Sequence, residues 1–231
     1  MFKKILSWFS SSNEKESPKS TPRKSSSSNA PKKRSIDSSR IGELGEYKIN
    51  IQLDQLPKDT KYLSDIIIKN LKSRTGYSQI DHIVVSPHGL FIIETKNYNG
   101  EIKGSRSDKY WRVSNRFNMF NPLKQNFGHI KALERILSDF PDLLYISMIS
   151  FTMRCRLSID SELRKIESNE LIVYDTELSE FISRKINRIK ATSSKALLTE
   201  SEVQNIYDII QSSNITDPTI RLEHVAKIKK D

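Results

Sequence analysis

The sequence predicts a mixed α/β domain, because segments with the apolar spacing of helices are interspersed with short apolar runs typical of strands. One helix-like segment precedes three strand-like runs, and a second helix-like segment is followed by a further strand. The chain of 231 residues is long enough for one good-sized core but short for two full domains. We therefore expect one folded domain in which helices flank a sheet.

The first element is expected to be a helix that begins near Ile41 and ends at Pro57. Its apolar residues fall on two neighbouring stripes, which together predict a broad buried face. Glu46 lies at the edge of that face. The stripes consist of Leu44, Tyr47 and Ile51, and of Glu46, Ile49, Leu53 and Leu56.

The middle of the chain is rich in β-branched and aromatic residues and predicts a run of strands. These are expected at Tyr62–Lys69, Gln79–Ser86, Leu90–Asn97 and Glu101–Gly104, with Tyr110–Val113 extending the sheet. A helix is expected over Asn121–Phe140, with Asn121 as its cap and Pro122 at its first position. Further strands are expected at Tyr145–Arg154 and Leu171–Tyr174, and helices at Leu178–Ile189, Glu200–Ile210 and in the last dozen residues.

The basic charge of the chain is concentrated at its beginning. The whole chain carries a net +10, of which residues 1–40 contribute +7 and residues 41–231 only +3. Residues 1–40 are rich in Ser, Pro and Lys and predict a flexible tail, which begins with a short amphipathic segment at Met1–Phe9. This tail is a candidate contact for DNA or for a weakly bound anionic membrane surface. We expect a domain over residues 41–190 and a helical extension over residues 191–231.

The most informative pattern is a predicted hairpin that turns at Pro87 and His88. If the hairpin closes there, Asp81 lies opposite Glu94 and Gln79 lies opposite Lys96. Strand side chains alternate between faces, so these four side chains share one face. Directly opposed residues have Cβ atoms about 4.5–5.5 Å apart. The register therefore groups two carboxylates and an ammonium at the end of an otherwise aliphatic face.

Such a group suits metal-assisted hydrolysis of a phosphodiester. Two close carboxylates repel each other, and a divalent cation such as Mg²⁺ relieves the repulsion while leaving positions for water and phosphate. The ammonium of Lys96 can hold a phosphate or orient a water molecule. The alternative is an ion-paired patch on a solvated sheet face, because a bare Glu-x-Lys recurs by chance in many proteins.

The segment QIDHIVVSPHGLFIIETKNYNGEIKG, residues 79–104, closely resembles the core of the nuclease-related (NERD) domain family. Further similar motifs flank it in the family's order: GELGE at 42–46, NPLKQNFGHIKAL at 121–133 and SFTMRCRL at 150–157. The resemblance covers about residues 41–190. It implies membership of the PD-(D/E)xK superfamily and a restriction-endonuclease-like fold, in which helices flank a mixed central sheet.

The resemblance also implies roles for individual residues. Asp81 and Glu94 would hold Mg²⁺ or Mn²⁺ together with the Thr95 carbonyl, and Lys96 would be the catalytic lysine. Glu46 would be the acidic residue supplied by the first helix. Gln79 and Gln125 would orient the lysine or a phosphate. The name-giving Pro-Asp of the superfamily is Ile80-Asp81 here, a change that removes no chemistry.

The remaining polar and aromatic residues favour structural roles. His82 faces away from Asp81, and neither His88 nor His129 has a partner at the spacing of a zinc site. The single cysteine, Cys155, excludes an internal disulfide and fits a reducing compartment. Trp111 is expected to pack in the core, with base stacking as the alternative.

The function expected from the sequence is therefore that of a bacterial-type, metal-dependent nuclease acting on nucleic acid, with DNA favoured. No apolar run approaches the about 18 residues of a membrane span, so a cytoplasmic location is expected, with the inner face of the membrane as a candidate site of peripheral contact. Two alternatives stay open. The domain could be a catalytically silent module that binds nucleic acid or protein, or part of a sensor held at a membrane by its N-terminus.

Overall fold

The chain folds around a mixed central sheet with helices on both faces, which confirms the predicted fold class. The structure is a computed structural model that describes residues 38–192 and 197–228, and side chains from Gly45 onward. The predicted N-terminal segment Met1–Phe9 and most of the basic tail lie outside the described residues. All described residues belong to one compact unit.

The central sheet has five strands in the order β1-β2-β3-β7-β9. The first three are antiparallel, whereas β7 and β9 run parallel to β3. Strands with both faces covered read as continuous apolar runs, as they do here. The strands are β1 Lys61–Lys69, β2 Tyr77–Ser86, β3 Gly89–Lys96, β7 Tyr145–Phe151 and β9 Glu170–Tyr174.

A second, smaller sheet was missed by the sequence prediction. Its order is β6-β5-β4-β8, and only the β4–β8 pair is parallel. Tyr110–Val113 therefore forms a strand of this sheet and does not extend the central one. The strands are β4 Gly100–Gly104, β5 Tyr110–Val113, β6 Phe117–Phe120 and β8 Cys155–Ile159. The buried Trp111 packs between this sheet and β7, stacked on Phe151 with 6.5 Å between ring centroids.

The described part of the chain contains five helices, four of which cover the central sheet from both sides. Apolar residues of α2 and α4 pack on one face, and those of α1 and α3 on the other. Within the described residues, no helix is long and apolar enough to cross a membrane. The helices are α1 Ser38–Leu53, α2 Pro122–Ile136, α3 Leu178–Thr192, α4 Glu200–Ser212 and α5 Pro218–Ile228.

The prediction of a broad buried face on α1 is wrong for one of its two stripes. Ile49 and Leu53 are buried against the central sheet, whereas Tyr47 and Ile51 are exposed. The helix packs on the sheet along a narrow stripe, so the second row of apolar residues points away from it. The helix also ends at Leu53, before Pro57.

The two elements that carry the predicted site form as expected. The β2–β3 hairpin pairs Ser86 with Gly89 across the predicted turn. Gly89 has φ +133°, and a Cβ there would lie 2.7 Å from the Leu144 carbonyl oxygen, so the turn requires glycine. On α2, Asn121 is the N-cap and accepts a hydrogen bond from the Leu123 N–H, while Pro122 holds the first position. Hairpin and helix together fix the site.

Candidate metal-dependent hydrolytic site

The site forms where β2 and β3 separate. The predicted register holds from Ser86–Gly89 to His82–Ile93, and the ladder then stops one pair before Asp81 and Glu94. In place of a backbone partner, the Thr95 N–H donates to Asp81 Oδ2 at 2.7 Å. Because the N–H and C=O of one strand residue face the same neighbour, the Thr95 carbonyl also faces the side of Asp81.

Glu94, Lys96 and Gln125 form a closed hydrogen-bonded triangle. Lys96 Nζ lies 2.6 Å from Glu94 Oε1 and donates to Gln125 Oε1 at 2.9 Å. The Gln125 amide in turn donates to Glu94 Oε1 at 2.8 Å. Glu94 is 4% exposed, so these bonds replace water around a buried carboxylate. The triangle fixes the position of the lysine ammonium.

His129 is the polar residue of the site that the sequence prediction missed. It follows Gln125 by one turn of α2, and its Nε2 lies 3.4 Å from Glu94 Oε2. Residues four apart share one face of a helix, so the spacing of Gln125 and His129 was the available signal. That spacing indicates a role for His129 only once α2 is known to pack against the end of β3.

The two carboxyl groups have pKa values displaced in opposite directions. Burial raises the pKa of Asp81 well above its usual range, and the Glu94 charge, followed by the smaller effect of Glu46, acts in the same direction. Burial also acts to raise the pKa of Glu94, but the charge and hydrogen bond of Lys96, together with the nearby His129, outweigh it and hold that pKa at about 2. Glu46 on α1 is therefore close enough to act electrostatically on Asp81.

The buried lysine keeps its charge through its carboxylate neighbours. Burial acts to lower the pKa of Lys96, but Glu94 and then Asp81 raise it above its ordinary value. The site thus presents an ammonium and a carboxylate held together in a largely dry environment.

The expected pairing of Gln79 with Lys96 is wrong. The β2–β3 ladder does not reach these residues, and the Gln79 amide donates to Asp65 Oδ1 on β1 at 2.9 Å instead. Asp65 adopts φ +52°, and the β1–β2 ladder skips its pair with Asp81. Gln125 occupies the position beside the lysine. Gln79 still lines the same cleft as Asp81.

The donor set fits a divalent cation that prefers oxygen. Glu94 Oε2 is buried without a hydrogen-bond partner. Burial and then the negative charge of Glu94 raise the pKa of Asp81, and a cation would relieve the repulsion between the two carboxylates. Among the described residues, no group of three or more His, Cys, Asp or Glu side chains is placed to hold a metal ion. A cation would therefore rest on Asp81, Glu94 and the Thr95 carbonyl, with water as the remaining ligands, as is common for Mg²⁺.

The site opens into a cleft of about 1020 Å³ between α2 and the connection from β1 to β2. Asp81, Gln125 and His129 contribute to its wall. Its charged lining consists of five basic side chains and the single carboxylate of Asp81. The basic residues are Lys72, Arg74, Lys124, Lys131 and Arg135.

Comparison with known proteins agrees with the resemblance seen in the sequence. The family model described as nuclease-related domain matches residues 41–152. An uncharacterized protein of Bacillus anthracis is 32% identical over 190 residues, which cover 80% of this chain and 82% of that protein. The chain belongs to the nuclease-related domain family. No solved structure matches it.

The part of the chain matched by the nuclease-related domain contains every residue of the site described above. The hairpin supplies Asp81, Glu94 and Lys96, and α2 supplies Gln125 and His129. Glu46 comes from α1. Helix α4 lies beyond the match and contributes apolar residues to the core beside α2. The site and its supporting hairpin thus lie entirely within the part of the chain that the nuclease-related domain matches.

Other polar residues of the nuclease-related domain serve its packing. His82 is buried, and its Nε2 lies 3.0 Å from Asn50 Oδ1. Trp111 is fully buried and donates to the Ser105 carbonyl at 2.9 Å, so packing is its role. Burial raises the pKa of the Cys155 thiol to about 11, which makes it a poor nucleophile at neutral pH.

Proposed function

We propose that this nuclease-related domain is a metal-dependent nuclease of the PD-(D/E)xK type that hydrolyses nucleic-acid phosphodiester bonds, with DNA as the favoured substrate. One observation carries the proposal. Asp81, Glu94 and Lys96 converge at the end of two strands, beside a cleft whose charged lining is basic except for Asp81. Paired carboxylates suit a divalent cation, and basic residues suit a phosphate backbone.

Asp81, Glu94 and the Thr95 carbonyl would hold Mg²⁺ or Mn²⁺, with Glu46 assisting through its charge or a water molecule. When bound, such an ion acidifies a coordinated water and stabilises charge on the phosphate oxygens. Asp81 is anchored by the Thr95 N–H, so one of its oxygens is fixed before any ligand binds. This anchoring gives the preorganisation that an efficient site requires.

Lys96 supplies a positioned positive charge. Its ammonium is oriented by Glu94 Oε1 and Gln125 Oε1, and an ammonium has three protons to donate. The third donor can orient the attacking water or bind a phosphate oxygen. Gln125 and His129 act on Glu94 and the lysine, so we assign them positioning roles.

A catalytically silent nucleic-acid-binding module is the second candidate. The observation in its favour is that Glu94, Lys96 and Gln125 satisfy one another within the triangle, which a purely structural ion pair would also do. Such a module would bind nucleic acid through the basic cleft and leave the strand intact.

The experiment that separates these functions is cleavage of labelled single- and double-stranded DNA and RNA with Mg²⁺, with Mn²⁺ and with EDTA. The site variants are Asp81→Asn and Lys96→Met. Lys103→Met is the matched control, because Lys103 pairs with Glu101 on β4, outside the site. We expect metal-dependent cleavage that falls by about 100-fold or more in the site variants and is unchanged in the control.

Folding of each variant is verified by circular dichroism before its activity is compared. Equal cleavage by wild type and Lys96→Met would point to a contaminating nuclease and contradict the proposal. Binding of nucleic acid without cleavage in any metal would favour the silent module.

A further inference from the structure

Aromatic side chains stand at the surface of the cleft without being needed for the core. Phe120, at the end of β6, is 44% exposed, and Phe127 on α2 is 56% exposed. Both line the cleft that also contains Asp81. Burial of such rings is favourable, so a protein that leaves two of them at one cleft has a surface suited to a flat apolar partner.

The rings are interleaved with basic groups. Lys131 Nζ lies 5.3 Å from the centroid of the Phe127 ring. Lys124, on the same helix, donates to the Ser107 carbonyl at 2.9 Å, and Arg135 donates to Asn70 Oδ1 at 2.9 Å. These contacts hold the cations along the wall of the cleft. Alternation of aromatic faces with positive charge matches a chain that alternates bases with phosphates.

We propose that this cleft takes an unpaired strand of nucleic acid, with bases on Phe120 and Phe127 and phosphates on the neighbouring lysine and arginine side chains. The inference rests on the proposed function, because it places a phosphate of that strand beside Asp81. In a duplex each base is covered by its neighbours, and an aromatic side chain meets no free face. Exposed rings in the cleft therefore select strands whose bases are unstacked.

The depth of the site supports the same choice. Glu94 is 4% exposed and is covered by Gln125 and His129, so a phosphate must enter the cleft to approach the carboxylates. An unpaired strand bends freely into such a recess. A duplex is stiff, with a persistence length of about 150 base pairs, and its smooth bending costs free energy. Unpaired DNA and unpaired RNA share this chemistry and fit the cleft equally well, and the test distinguishes between them.

The test is fluorescence anisotropy of full-length protein with labelled 20-nucleotide single strands of DNA and RNA and with the matching duplexes, in EDTA. The site variants are Phe120→Leu and Phe127→Leu, which keep an apolar side chain and remove the ring face. Phe117→Leu is the matched control. Phe117 is 49% exposed on the same strand as Phe120 and packs on Tyr98 as Phe120 packs on Tyr110, but it does not line the cleft. All variants are compared at one salt concentration, since phosphate binding depends on salt.

We expect unpaired strands to bind about tenfold or more tightly than duplexes, given the usual strength of base stacking on aromatic residues. Each cleft variant should lose about fivefold or more of its affinity for the unpaired strand and little of its affinity for the duplex. The Phe117→Leu control should match wild type. A preference for DNA over RNA, or the reverse, names the source of the strand.

Equal or tighter binding of duplex, absence of binding to either form, or a single-strand preference unchanged by both cleft variants would overturn the inference. Because binding is measured without metal, these outcomes are separate from the cleavage assay. Cleavage of duplex by a protein that lacks single-strand preference would leave the nuclease proposal standing and remove this inference. Single-strand binding that depends on both rings, without cleavage in any metal, would refute the nuclease alone.

Discussion

Removing Lys96 should cost more stability than removing the Glu94–Lys96 pair. The side chain of Lys96 is 15% exposed and that of Glu94 is 5% exposed, so Lys96→Met leaves a buried carboxylate without its ammonium. Breaking one partner of a buried pair costs about 3–5 kcal/mol, and Gln125 and His129 remain to offset part of that loss here. We expect a destabilisation of about 3 kcal/mol for Lys96→Met.

The double variant Glu94→Gln/Lys96→Met removes both charges and keeps an amide that can pair with Gln125. Replacement of a buried ion pair by uncharged residues is often nearly neutral. We therefore expect the double variant to regain most of the stability lost by Lys96→Met and to remain inactive. The buried charges would then be retained for the function of the site although they do not stabilise the fold, as is common for active sites.

The assay is urea unfolding, followed by circular dichroism, of wild type, Glu94→Gln, Lys96→Met and the double variant. The coupling free energy of the cycle should be about 2 kcal/mol or more, because residues in direct contact are strongly non-additive. Additive losses, with a coupling below about 0.5 kcal/mol, would refute the reasoning that the charges stabilise each other in a dry environment.

Three further predictions concern buried contacts elsewhere in the fold. Gly104→Ala should destabilise the fold by about 1–3 kcal/mol in the same unfolding assay, because the new Cβ would lie 2.2 Å from a buried indole ring. The matched Gly128→Ala on α2 places its Cβ where nothing lies within 4 Å, so it should stabilise the fold by about 0.5–1 kcal/mol. Lys185→Met should destabilise the fold by about 2 kcal/mol, since the buried Lys185 ammonium donates to three backbone carbonyls at 2.8–3.1 Å. Lys190 is exposed, so Lys190→Met should change the stability by less than about 0.5 kcal/mol. Burial, followed by nearby positive charges, lowers the pKa of His224, so the unfolded chain binds a proton more readily and stability should fall as pH drops below 6.5. Urea titrations across pH 5–8 should show a shallower fall for His224→Phe, and identical slopes would contradict the assignment.

The hairpin of the site was predictable because its information is local. The apolar runs on both strands and the Ser-Pro-His-Gly turn between them determine one register, and that register holds from Ser86–Gly89 to His82–Ile93. Beyond that point the pattern is misleading. The Thr95 N–H donates to the side chain of Asp81 instead of to a backbone carbonyl, so the ladder ends before Gln79 can pair with Lys96.

The remainder depended on contacts between distant segments. The small sheet pairs β4 with β8 across about fifty residues, and strands of four or five residues carry little periodic signal. His129 gave no zinc-site spacing and acquires a role only through the packing of α2 on β3. The exposed rings of Phe120 and Phe127 likewise read as ordinary apolar positions until the cleft is seen.

Hydrolysis of phosphodiesters by Asp81, Glu94 and Lys96 with a divalent metal is the function that we propose for this chain. Its most direct test is the single-turnover cleavage rate of a labelled oligonucleotide in Mg²⁺, compared between wild type and the folded Glu94→Gln/Lys96→Met variant. We predict cleavage by wild type that EDTA abolishes, and a rate lower by about 100-fold or more in the variant. A folded variant that cleaves at the wild-type rate, or a wild type that binds the strand and never cuts it, would contradict the claim.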